Sequence, residues 1–226
     1  MVRKITVIGA GSTGHAVASV MSQRGFEVTF HDDERFASRF QDIEELGGIT
    51  LRGGMHGTGK PVCMTTDPEK AVRGAEVIFV HVRADRHEEI ARRIAPYVED
   101  GQHILIIPGN LASFVFRKVF DEMGVTAKIT LTEKEGNFCP CRLTGKAEVT
   151  TGMPLNLKGV VEYTANRNVF EGVINAGNVI NHIASTVLSA AEIDHKGHDY
   201  SLFQYAFTPR VVHCVGKIRE ERKAVI

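Results

Sequence analysis

Three glycines and an aspartate carry the clearest chemical signal in this 226-residue chain. Gly9-Ala10-Gly11-Ser12-Thr13-Gly14 matches G-x-G-x-x-G. In that pattern the first glycine makes a tight turn, the second lets backbone approach a pyrophosphate, and the third permits close helix packing. The N-terminus of the helix that follows the loop would offer free N–H groups and partial positive charge to phosphates. Asp32 stands about twenty residues on, where a carboxylate can accept both hydroxyls of an adenosine ribose. It would repel a 2′-phosphate, which favours NAD. Arg35 and Arg39 lie close behind and could serve such a phosphate, so NADP stays open.

A second group could handle a substrate. His182 has the imidazole suited to proton transfer near neutral pH, and Asn178 lies one helical turn before it, on the same face. Each also has a plainer reading, His182 as a structural histidine and Asn178 as a helix cap after Gly177. Arg142 could grip a carboxylate in a bidentate fork or be a surface arginine. Glu133 follows a strand, where ligands gather in open α/β sheets, or is a solvated loop acid. His81, Val82, Arg83 and Asn110 follow strands and are expected to line the nicotinamide side. No metal site is expected. Cys139-Pro140-Cys141 lacks a second ligand pair, and His195 and His198 with Asp194 and Asp199 read as a polar turn.

The elements that would hold these residues alternate as a parallel sheet requires. Apolar runs at 4–8, 26–30, 76–80, 103–107 and 128–131 read as strands. Helical spacing covers 15–24, 36–46 and 112–123. Asp67-Pro68 starts another helix, and Asp85 with Glu88 reads as a capping box for the next. The glycine-rich stretch 47–60, with strands at 49–51 and 62–65, reads as a loop or hairpin too polar for core. Beyond Glu133 come short strands at 146–151 and 158–164, then helical runs at 172–189 and 207–225. The expected architecture is α/β: a doubly wound Rossmann sheet over 1–132, followed over 133–226 by the beginning of a mostly helical substrate lobe.

Composition narrows the classes. Lysine and arginine total 27 and aspartate and glutamate 27, so nothing suggests a nucleic-acid partner. No apolar run is long enough for a membrane span, and a strand at residue 4 leaves no room for a signal peptide. Four cysteines without a framework suggest a reduced cytoplasmic setting. A homodimer is compatible with all of this.

In order along the chain, several short motifs resemble the opine dehydrogenase family of octopine and nopaline type. His81-Val82-Arg83-Ala84 with His87 is similar to its V-P-A-x-x-H turn, with arginine for proline. Pro108-Gly109-Asn110 matches its P-G turn. Glu133 with Cys141-Arg142 is similar to its E-T…Y-A-C-R segment, Asn178 and His182 to N-P-x-x-H, and Phe207-Thr208-Pro209 with Glu221-Arg222 to L-T-P…E-R. The resemblance implies an NAD(P)-dependent oxidoreductase acting on CH–NH bonds, which reductively condenses an α-keto acid with an amino acid. It also implies that His182 is the acid/base, with Glu133, Arg142 and Asn178 around the small-molecule substrates. Family chains are longer, so the lobe here is expected to be partial. Two other readings remain. One is reduction of a keto-acid C=O, as in ketopantoate reductases and 2-hydroxyacid enzymes, although no lysine is equally well placed as proton donor. The other is a non-catalytic NAD-binding fragment.

Overall fold

The computed structural model describes residues 3–109, 111–134, 136–154, 160–164, 170–172 and 177–225. They form two compact units, Met1–Gly172 and Val173–Ile226.

The first unit begins as its apolar runs dictate. Strand β1 (Lys4–Ile8) passes through the glycine loop into helix α1 (Ser12–Gln23) and back as β2 (Glu27–His31). Helix α2 (Ala37–Glu45) precedes β3 (Ile49–Gly53), β4 (Gly57–Gly59) and β5 (Cys63–Thr65). Helix α3 (Pro68–Val72), capped by the Asp67 carboxylate as expected, leads to β6 (Val77–Val80). Then come α4 (His87–Ile94), β7 (His103–Ile106), α5 (Ala112–Glu122) and β8 (Thr130–Lys134).

Six strands pair in parallel in the order β5-β2-β1-β6-β7-β8, the doubly wound arrangement in which ligands bind beyond the strands' carboxyl ends. Covered on both faces, the strands are nearly continuous apolar runs. Ile8, Ile78, Val80, Ile104, Ile106 and Leu131 have no exposure. One face packs against Ile90, Phe116 and Phe120, the other against Val17, Phe40 and Ile43.

The stretch expected to be a polar loop behaves differently. β3 and β4 pair with each other, and β3 runs parallel to β10 (Glu148–Thr151), itself paired with β9 (Cys141–Gly145), to make a second four-stranded sheet. Ile49, Leu51 and Val149 are buried in it. β5 belongs to the main sheet, beside β2. The second sheet covers α1, so Gly14 through Ser19 are all buried. Ser19 Oγ donates to the Ile49 carbonyl at 2.7 Å and accepts the Gly59 N–H at 3.1 Å. A side chain on Gly59 would run into the Ser19 backbone. The local glycines hid this pairing because its partner lies about a hundred residues away.

The compact unit also runs past the expected boundary at 132. β8 continues to Lys134, and β11 (Val160–Thr164) joins it antiparallel, followed by β12 (Phe170–Gly172). In the second unit, α6 (Gly177–Leu188) packs with α9 (Pro209–Val225), separated by α7 (Ala190–Lys196) and α8 (Leu202–Tyr205). Residues 194–199, expected as a turn, finish α7 and a short 3-10 turn.

Candidate dinucleotide site

Sheet register assembles the site. Ile8 lies opposite both His31 and Val80, so the next residues, Gly9, Asp32 and His81, meet at the carboxyl edge. Gly9 N–H donates to the His31 carbonyl at 2.8 Å, and His81 N–H to the Ile8 carbonyl at 2.7 Å. Gly9 has a φ of +110°, and a side chain there would strike the His81 carbonyl. A side chain on Gly14 would strike the Gly9 carbonyl, whereas Gly11 faces open space. The first and third glycines are thus required by packing, and the second leaves room for a ligand.

Two side chains hold the loop. His15 Nδ1 bonds the Gly11 carbonyl at 2.9 Å, and the ring meets Phe30 edge-on at 5.0 Å. Burial lowers the His15 pKa to about 4, so the ring is neutral and donates from Nδ1. Ser12 Oγ accepts the Leu143 N–H at 3.0 Å, which leaves its own proton available.

Asp32 is buried at the end of β2. One oxygen accepts the Ala10 N–H at 2.6 Å; the other accepts the Asp33 N–H at 2.9 Å and an Arg86 Nη1 bond at 3.2 Å. Arg86 also bonds Asp33 at 2.7 Å, and Arg35 pairs with the same Asp33 carboxylate. The hydrogen bond from Arg35, with help from the Arg86 charge, holds the Asp33 carboxyl down to about 2 against the cost of its burial. A cavity of about 510 Å³ opens over this edge, lined by Gly9, Gly11, Asp32, Arg35, Phe36, Arg39, His81, Val82, Arg83 and Arg86 among others.

The sequence missed Arg86 and Phe36. Arg86 lies between the expected capping residues, and its partners at the site, Asp32 and Asp33, are more than fifty residues away; only the dense alternation of arginine and acid from 83 to 93 hinted at a network. That capping box is absent. Asp85 pairs with Arg83 at the surface, and α4 starts at His87 after a 3-10 turn, without a side-chain cap.

His81 is fully buried, neither ring nitrogen has a partner among the described residues, and burial lowers its pKa to about 4. It therefore enters the site through its backbone. Val82 is buried beside it, and the Arg83 side chain is exposed. Asn110 lies outside the described residues.

Glu133 is not a solvated acid. It sits in β8, opposite Ile106, and is 4% exposed. Its carboxylate accepts the N–H groups of Leu111 and Ser113 at 2.7 and 2.6 Å, together with the Ser113 hydroxyl. These bonds tie down the start of α5, where Leu111 takes a left-handed φ of 69°. Arg142 is an exposed residue of β9, adjoining the Leu143 that contacts Ser12. His182 is exposed on α6. Asn178 is in the same helix, within the second unit.

The residues present fit a dinucleotide. A glycine loop opens over a helix N-terminus, a carboxylate stands at the ribose position, and the second glycine leaves open space where a diphosphate would approach. Fold and site define a dinucleotide-binding α/β protein of Rossmann type. Residues 4–111 match the family model for the NAD-dependent glycerol-3-phosphate dehydrogenase N-terminus. The chain is a relative of the opine dehydrogenases, 30% identical to one from Arthrobacter sp. (strain 1C) across 97% of its own length and 66% of that protein's.

Solved structures agree on the fold. An octopine dehydrogenase in complex with NADH and agmatine matches 86% of this chain and 54% of its own, with a TM-score of 0.62 at 21% identity. A PanE/ApbA family ketopantoate reductase from Ralstonia eutropha JMP134 matches 98% of this chain and 73% of its own, with a TM-score of 0.59 at 16% identity. The chain thus spans about two thirds of its Arthrobacter relative and about half of the octopine dehydrogenase.

Proposed function

We propose that the protein is an NAD(P)-dependent oxidoreductase of opine dehydrogenase type, joining an α-keto acid to the amino group of an amino acid. The observation that carries this reading is the match to the Arthrobacter opine dehydrogenase along nearly the whole chain. That match reaches well beyond the dinucleotide cradle, which many oxidoreductases share.

Condensation of the amine with the keto acid expels water and forms an imine. When bound, the reduced nicotinamide supplies the hydride that converts the imine carbon to the CH–NH centre of the product. The residues here do the rest. Amides at Gly11, Ser12, Thr13 and Gly14 hold the diphosphate, and Asp32 receives the ribose hydroxyls. The backbone from His81 to Arg83, with Asn110, borders the nicotinamide end. Glu133 acts by positioning, since its bonds to Leu111 and Ser113 fix the loop leading into α5. His182 is the acid/base, passing a proton to and from the reacting nitrogen and oxygen, with Asn178 and Arg142 orienting the substrate carboxylates. The second unit, Val173–Ile226, supplies part of the substrate lobe. The free thiols of Cys63, Cys139, Cys141 and Cys214 suit a cytoplasmic setting.

The test is oxidation of NADH, and of NADPH in parallel, with pyruvate and a panel of amino acids. Turnover with an amino acid–keto acid pair, and its loss in His182→Ala by a factor of about a hundred or more with NADH binding retained, is the expected result. Turnover with a keto acid alone would favour carbonyl reduction. Binding without turnover for any pair would favour the non-catalytic reading.

A further inference from the structure

Four arginines line the cavity, and they are not equivalent. Arg35 and Arg86 are ion-paired with Asp33, and Arg83 with Asp85. Arg39 has no carboxylate partner within ion-pair distance among the described residues. Its Nη1 donates to the carbonyl of Ala10, inside the glycine loop. Its guanidinium lies 4.8 Å from the centre of the Phe36 ring, and Arg86 approaches the same ring at 5.8 Å. Arg39 is half-buried and rises from α2, outside the glycine motif.

A guanidinium with one nitrogen anchored leaves further N–H donors unspent. Partial burial weakens solvent screening, and the stack on Phe36 limits the entropy lost when an anion arrives. The loop it touches already offers amides to a diphosphate but no formal positive charge.

We infer that Arg39 is a phosphate-binding residue of the cradle, supplying the cation that meets a phosphate on the adenosine half of the cofactor. This rests on the dinucleotide reading and extends it to a residue outside the motif. The chemistry is a guanidinium–phosphate contact. The phosphate is either the diphosphate, common to NADH and NADPH, or the 2′-phosphate of NADPH.

The test measures direct binding, by calorimetry and by nicotinamide fluorescence, of NADH, NADPH, ADP and adenosine to the full chain. Variants are Arg39→Gln, Arg39→Lys and, as a control for lost surface charge, Arg73→Gln, whose side chain pairs with Glu69 and Glu99 elsewhere. Arg39→Gln should weaken at least one phosphorylated ligand ten-fold or more while changing adenosine less than three-fold. Arg39→Lys should recover part of the loss, and Arg73→Gln should alter none. Equal losses for NADH, NADPH and ADP assign the contact to the diphosphate; a loss confined to NADPH assigns it to the 2′-phosphate. Unchanged affinities in Arg39→Gln, or an equal loss of adenosine with a lowered melting temperature, overturn the inference. Failure of the unmodified chain to bind any of the four ligands removes the dinucleotide reading as well, and is distinguished because Arg39 is then intact.

Discussion

At the scale of single residues, Asp32 shows how a binding group is prepared. Its buried carboxylate would be costly alone, yet it receives the Ala10 and Asp33 amides and the Arg86 guanidinium. Charge-assisted bonds of this kind are about twice as strong as neutral ones. Asp32→Ala removes the ribose acceptor, frees the Ala10 amide and leaves Arg86 with Asp33 and Glu89. NADH affinity should fall at least ten-fold, on the order of the 1.4 kcal/mol that ten-fold represents; titration of NADH fluorescence checks it. Unchanged affinity would show that the cofactor's ribose lies elsewhere. The glycines and Asp32 were legible because one strand–loop–helix–strand motif fixes their spacing. Arg86 was not, since its pairing with Asp32 and Asp33 is set by tertiary placement.

At the scale of elements, the start of α5 depends on a strand. Glu133 in β8 satisfies two helix amides and a hydroxyl that α5 cannot satisfy for itself, and it stabilises a left-handed Leu111. A non-glycine residue in that conformation costs about 1–2 kcal/mol. Glu133→Ala would leave the buried Ser113 amide and hydroxyl without this acceptor, at about 1–3 kcal/mol for each such group, and would free the part-buried Leu111 amide. Chemical denaturation should therefore show a loss of about 2 kcal/mol or more. Glu133→Gln, which keeps an acceptor oxygen, should lose less. A stability unchanged in both variants would contradict the helix-anchoring role. The sequence marked Glu133 as noteworthy and suggested a contact with substrate, because strand-end acids usually face the ligand crevice. The structure shows that carboxylate bonded to Leu111 and Ser113, which gives it the positioning role.

At the scale of the whole molecule, buried neutral histidines make stability depend on pH. Burial holds His15 and His81 at about 4 and lowers His31 and His87 as well, against about 6.5 in the unfolded chain. Between those values the unfolded chain takes up protons that the native chain refuses. The stability is complete above pH 6.5 and declines as pH falls toward 4. At pH 5 the loss is about 2 kcal/mol for each strongly shifted histidine, at about 1.4 kcal/mol per pH unit. Melting followed by circular dichroism should give a clearly lower midpoint at pH 5 than at pH 7.5, with a smaller difference in His81→Phe. An equal or higher midpoint at pH 5 would refute this.

The amino-acid sequence alone determined the parallel sheet, the glycine cradle and the acidic ribose position, because strand–loop–helix motifs are read from neighbours and from repeating apolar residues. It could not reveal the second sheet, where β3 meets β10 across about a hundred residues, nor that β11 extends the main sheet beyond the expected boundary. Those pairings, the Arg86 clamp and the burial of Glu133 belong to tertiary structure. They are backbone and charge contacts between distant segments, and neither residue type nor spacing records which segment will arrive.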